Sequence, residues 1–107
     1  MIIKKITTSP ATTTLIPEGV GWGYIKSIMI SNFSDNAADA RVDIYYKEGA
    51  NDLYLIKNCM IPKGATLVLD DGYEFGNSVY KLMSYSEGTA PALTIMIQAG
   101  NNQSSRR

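Results

Sequence analysis

Short runs in which apolar and polar side chains alternate recur about every ten residues, and each is closed by Gly, Pro, Asn or Asp. No stretch carries a helical period, so the pattern predicts one small antiparallel β-domain. Ile2–Thr7 reads as a first strand. A Thr-rich segment follows, in which Pro10 restricts pairing to an edge or a strand start. Pro17–Gly21 is a turn. Gly23–Phe33 is the strongest strand, with Ile28, Ile30 and Asn32 on one face and Ile25, Ser27, Met29, Ser31 and Phe33 on the other. Ser34–Asp39 is a polar loop. Ala40–Lys47 alternates cleanly, Val42, Ile44 and Tyr46 against Arg41, Asp43, Tyr45 and Lys47. Leu53–Lys57 returns from a Gly-containing hairpin at 48–52. Ile61–Gly64 turns into Ala65–Leu69, and Asp70–Gly72 turns again. Tyr73–Asn77 is irregular, with Tyr73 and Phe75 placed to plug one end of the core. Ser78–Tyr85 and Ala92–Gln98 are the last strands, and 99–107 is a polar tail.

About eight strands at this spacing, several of them apolar on both faces, predict an all-β chain: a single antiparallel β-sandwich of jelly-roll type. The domain is expected over residues 1–98. Residues 1–10 admit two readings, an ordinary first strand or an N-terminal arm that adds to a neighbour's sheet.

Composition narrows the function. A chain of 107 residues with 45% hydrophobic residues builds one core, and its formal net charge of +0 offers no broad phosphate-binding face. Nucleic acid is therefore not an expected partner. Neutrality favours association, as in a subunit of an assembly. The longest apolar stretches are far below the ~20 residues of a membrane helix, and the apolar start is broken by Lys4 and Lys5 with no apolar h-region after them, so a signal peptide is not expected. No membrane partner is expected, and assembly in a cytoplasm is.

No histidine is present, which removes an imidazole base, a zinc triad and a Ser-His-Asp arrangement. Asp70–Asp71–Gly72 lacks the further ligands of a calcium loop and reads as a turn. Cys59 stands alone and reads as a small buried hydrophobe. No catalytic residue, metal site or cofactor is expected, and the chain is not read as an enzyme. Tyrosine, with seven copies against two Phe, suits a surface that becomes an interface. Tyr45, on the outward phase of its strand, and Tyr54, near the hairpin, are the candidate contacts. Ile2 and Ile3 in the first strand and Arg106 and Arg107 in the tail are the others. Trp22, between two glycines, either caps one end of the sandwich or offers a stacking platform for a sugar.

Two segments carry a resemblance. One is Tyr24-Ile-Lys-Ser-Ile-Met-Ile-Ser-Asn32. The other is Tyr54-Leu-Ile-Lys-Asn-Cys-Met-Ile-Pro-Lys-Gly-Ala-Thr-Leu-Val-Leu69. With the Thr-rich segment before Ile16–Gly19, they resemble the small β-sandwich virion proteins of tailed bacteriophages over residues 12–98. Those proteins read V-K-S-I-x-I-x-N, a loop and a strand, then L-x-x-x-x-I-P-x-G-x-x-L-x-L. They often carry Gly-Asp where this chain has Gly76–Asn77. The resemblance implies a structural role in the virion, most simply a capsid decoration (cement) protein on the major capsid protein or other virion subunits. It also implies a homo-oligomer, with a trimer the simplest guess. A tail, neck or fibre-adaptor protein is the first alternative, and a carbohydrate-binding module built on Trp22 and outward tyrosines is the second.

Overall fold

Nine β-strands in two antiparallel sheets make up the secondary structure of the described residues, with no helix among them. The computed structural model describes residues 1–7, 10–21, 24–32, 39–74, 76–88 and 93–99. Trp22, Phe75, Arg106, Arg107 and the tail 100–107 lie outside the described residues, as do the loop residues 33–38. The strands are β1 (Ile2–Ile6), β2 (Ala11–Ile16), β3 (Tyr24–Asn32), β4 (Ala40–Glu48), β5 (Asn51–Ile61), β6 (Thr66–Leu69), β7 (Tyr73–Glu74), β8 (Lys81–Gly88) and β9 (Leu93–Ala99).

Sheet 1 runs β1-β9-β3-β6, with β7 also on β3, and sheet 2 runs β2-β8-β4-β5. β6 and β7 are two pieces of one edge, so the fold counts as eight strands rolled in pairs. First pairs with last (β1·β9), second with next-to-last (β2·β8), then β3 with β6 and β4 with β5. That winding is a jelly roll. The first strand pairs within the chain, from Ile2↔Ile97 to Ile6↔Leu93.

The core lies between the sheets. Ile28, Ile30, Ile95 and Ile97 from sheet 1 meet Leu15, Val42, Ile44 and Leu82 from sheet 2, all buried. β-branched side chains dominate because they fit a pleated surface packed on one face.

Four expectations need correction. Ile25 points inward with Ile28, because a bulge between Ile25 and Ser27 opposes two steps of β3 to one of β9. Lys26 and Ser27 are thereby both left out of the core. β5 runs to Ile61 rather than stopping at Lys57: its eleven residues face nine of β4, with two register shifts. At the second shift Asn58 adopts φ 59°, and its N–H donates to Asp43 Oδ1 at 2.7 Å. Asn tolerates this left-handed conformation better than other non-glycine residues. Cys59, beside it, is only half-buried. The penultimate strand begins at Lys81, after a turn in which Val79 and Tyr80 both donate to the Gly76 carbonyl.

Two buried asparagines close the ends. Asn32 Nδ2 donates to the Ile61 carbonyl at 2.8 Å, Asn32 N donates to Ala65 O at 2.9 Å, and Gly64 N donates to Asn32 O at 2.6 Å. The terminal Asn of the first motif and the Ile-Pro-Lys-Gly turn of the second therefore meet in space. Asn77 ties the other end. Its Oδ1 accepts from Gly21 N at 2.8 Å, and its Nδ2 donates to Pro17 O at 3.0 Å and Tyr80 O at 3.1 Å.

Candidate interaction face

A two-layer sandwich buries one face of each sheet, so the other faces are the surfaces on offer. They differ sharply.

On the outer face of sheet 2 most of the charged groups meet partners on the same sheet. Arg41 reaches Glu87 at 3.2 Å and Asp43 at 3.9 Å, and its guanidinium lies 5.3 Å from the Tyr85 ring centre. Tyr85 Oη donates to Glu87 at 2.9 Å, and that bond to a carboxylate, then desolvation, holds the phenol above its ordinary pKa. Lys47 Nζ donates to Asp52 at 2.9 Å, which raises its pKa, and Lys57 Nζ sits 4.5 Å from the centre of the Tyr54 ring. The strands of this sheet carry four basic residues (Arg41, Lys47, Lys57, Lys81) and four acidic ones (Asp43, Glu48, Asp52, Glu87).

Tyr45 corrects an expectation here. It occupies the outward phase, yet it is only 7% exposed, because the Tyr54 ring packs on it at 5.1 Å. Burial is the main cause of its raised pKa. Tyr54 itself is 41% exposed.

The outer face of sheet 1 is different. Ile3 opposes Met96, Met96 opposes Met29, and Met29 opposes Val68. Four apolar side chains thus form one row across β1, β9, β3 and β6, roughly 14 Å long at the usual strand spacing. Ile3 is 56% and Val68 46% exposed at its two ends. One parallel row, Lys5–Thr94–Ser31–Thr66, is polar, with Ser31 and Thr66 hydroxyls 3.1 Å apart. On the other side Gln98 opposes Ser27, next to Lys26. The strands β1, β9, β3 and β6 contain Lys4, Lys5 and Lys26 and no acid, Glu74 of β7 being the one carboxylate in the sheet. None of these three lysines has an ion pair or ring contact among the described residues.

Of the residues singled out from sequence, only Ile3 joins this row. Ile2 is half-buried and faces inward, and Tyr45 and Tyr54 share the opposite sheet. Met29, Val68, Met96, Lys5 and Lys26 were missed. A signal for them existed in the two-sided apolar pattern of Gly23–Phe33. A sandwich accounts for only one face of such a strand, so the second face marks an outer surface rather than a second buried layer.

The described residues hold no cluster of three or more His, Cys, Asp or Glu able to bind a metal. An apolar cleft beside Met60, Pro62 and Leu67 measures about 110 Å³, room for one side chain and well below a small-molecule site. Compared with known proteins, the chain matches no family model and no curated sequence.

Proposed function

We propose that this chain is a structural subunit of a tailed-phage virion. In this reading it is a capsid decoration (cement) protein that binds the outer shell, through the major capsid protein, after assembly in the host cytoplasm. The observation that carries the reading is the contrast between the two outer faces. A domain with one face largely paired with itself, and another that offers a flat apolar row beside lysines without an ion pair among the described residues, suits a macromolecular surface. The motif resemblance adds to it, since Asn32 and Ile61–Gly64, the residues that carry it, converge on one clamp. A ligand that binds only the assembled shell stabilises that state by mass action, in proportion to the logarithm of its occupancy term. A homotrimer suits such a subunit, closed symmetry being the default for repeated contacts.

Quantitative gel staining of purified particles tests the reading. A copy number comparable to that of the shell subunit, with particles lacking the protein losing integrity at lower temperature, is the expected result. A few copies per particle assigns the chain instead to the tail, neck or fibre adaptor. Equal thermal survival with and without it removes the cement role.

A further inference from the structure

We infer that the outer face of sheet 1 is the docking surface, and that its partner is a protein surface with an apolar centre bordered by carboxylates. This inference rests on the particle role proposed above and names the face and the chemistry that perform it.

Three features select the partner. The Ile3–Met96–Met29–Val68 row lies in register across the sheet, so it presents a straight apolar strip rather than scattered residues. Lys5 flanks the strip on one side, two strand residues from Ile3 or roughly 7 Å, and Lys26 on the other, three residues from Met29 at the bulge or roughly 10 Å. These cations have no acid on β1, β3, β6 or β9 to pair with, whereas three of the four cations on sheet 2, Arg41, Lys47 and Lys57, are engaged and Lys81 alone shows no partner among the described residues. Electrostatic complementarity therefore calls for acids opposite Lys5 and Lys26, and the strip calls for apolar side chains between those acids.

Other occupants fit less well. A second copy packed face to face sets lysines against lysines. A nucleic acid backbone offers nothing to the apolar strip. A bilayer calls for apolar groups that project several ångströms beyond the charged ones, and a flat sheet row stands level with its flanking rows.

The test uses particles lacking the protein, to which purified chain is added back, with bound copies counted by gel at about 0.05 M and about 0.5 M NaCl. Wild type is expected to bind, and less at the higher salt. Lys5→Glu with Lys26→Glu is expected to bind roughly tenfold more weakly at low salt, as reversed charges do at a complementary rim. Ile3→Ser with Val68→Ser, at exposed positions that leave the core intact, is expected to weaken binding by a similar roughly tenfold factor at both salts. Tyr54→Ser with Lys57→Glu on sheet 2 is expected to bind as wild type. Thermal melts of all variants check that folding is unchanged.

Sheet 1 variants that bind normally, or loss confined to the sheet 2 variant, overturn the face assignment while leaving the particle role standing. A wild-type chain that neither rebinds nor occurs in native particles ends the particle role itself. Two controls test the chemistry. A dimer in sedimentation equilibrium that Ile3→Ser with Val68→Ser abolishes reassigns the face to a second copy. Lysine-dependent binding to phosphatidylserine–phosphatidylcholine vesicles reassigns it to a membrane.

Discussion

Asn77 offers the sharpest test of how this fold is held. It is 5% exposed, and its amide makes three hydrogen bonds that tie Pro17 and Gly21 of the β2–β3 turn to Tyr80, just before β8. Asn77→Ala removes one acceptor and two donors and strands three backbone groups in a part-buried setting. At about 1 kcal/mol for each lost bond, the change costs about 3 kcal/mol. Unfolding entropy near 2.1 cal/mol/K per residue gives about 0.22 kcal/mol/K for a chain of this length, so Tm falls by about 13 °C. Asn77→Asp separates the contributions. The introduced carboxylate still accepts from Gly21 N–H, but it sets negative charge against the Pro17 and Tyr80 carbonyls. Its folded-state pKa therefore rises above the ordinary Asp value, and that variant gains stability as pH falls through the raised pKa. Calorimetry gives the Tm values, and hydrogen exchange at the Gly21 amide reports the bond directly. A Tm for Asn77→Ala within about 3 °C of wild type, with the Gly21 amide still protected, would refute the reasoning.

Gly72 sits at φ 83° with the Tyr24 hydroxyl where a Cβ would fall, so Gly72→Ala is expected to cost about 2 kcal/mol by urea unfolding, part of it recovered in Gly72→Ala with Tyr24→Phe. Ser84 is fully buried, and its hydroxyl has no partner among the described residues; Ser84→Ala is expected to raise stability by about 1 kcal/mol in the same assay. Asp43→Ala strands the Asn58 N–H and releases Arg41, for a loss of about 2 kcal/mol, whereas Asn58→Gly, already at a positive φ, is expected to leave the melting temperature nearly unchanged. Burial pushes the Tyr46 phenol from 10.0 up to about 12, and Tyr46 Oη donates to the Glu74 carbonyl. A group with a raised folded-state pKa contributes fully below its unfolded value and loses that contribution as pH rises through the folded one. Stability should therefore decline between pH 10 and about 12, less steeply in Tyr46→Phe, as followed by near-ultraviolet dichroism.

The fold was legible where side chains keep strict phase. Val42, Ile44 and Tyr46 alternate with Arg41, Asp43 and Tyr45 along β4, and the two-layer jelly roll follows from such strands and their turns. Legibility failed where the backbone inserts a residue. Ile25 reads as sharing a face with Ser27 until a bulge reverses its phase, and the strand that reads as Leu53–Lys57 runs on through Asn58, lodged within β5 against Asp43. Neither insertion leaves a mark in local periodicity, because the compensating partner lies on another strand. The interaction face was legible only as an unexplained surplus, the second apolar side of β3. Its alignment with Ile3, Met96 and Val68 depends on register between segments up to 93 positions apart, which no single-strand pattern encodes. Tyr45 shows the converse: its phase was read properly, but the Tyr54 ring that covers it could not be foreseen.

β5 sets eleven residues against nine, and the surplus makes its free rim uneven. A rim of that kind offers a poor template for cross-β stacking, since amide and carbonyl groups do not recur at the even interval a straight incoming chain needs. A subunit of the kind proposed, made in bulk, has to stay dispersed until it reaches its place. With a net charge of +0 there is little mutual repulsion to hold copies apart. For such a subunit the contour of the β5 edge would help with a task that surface charge performs elsewhere.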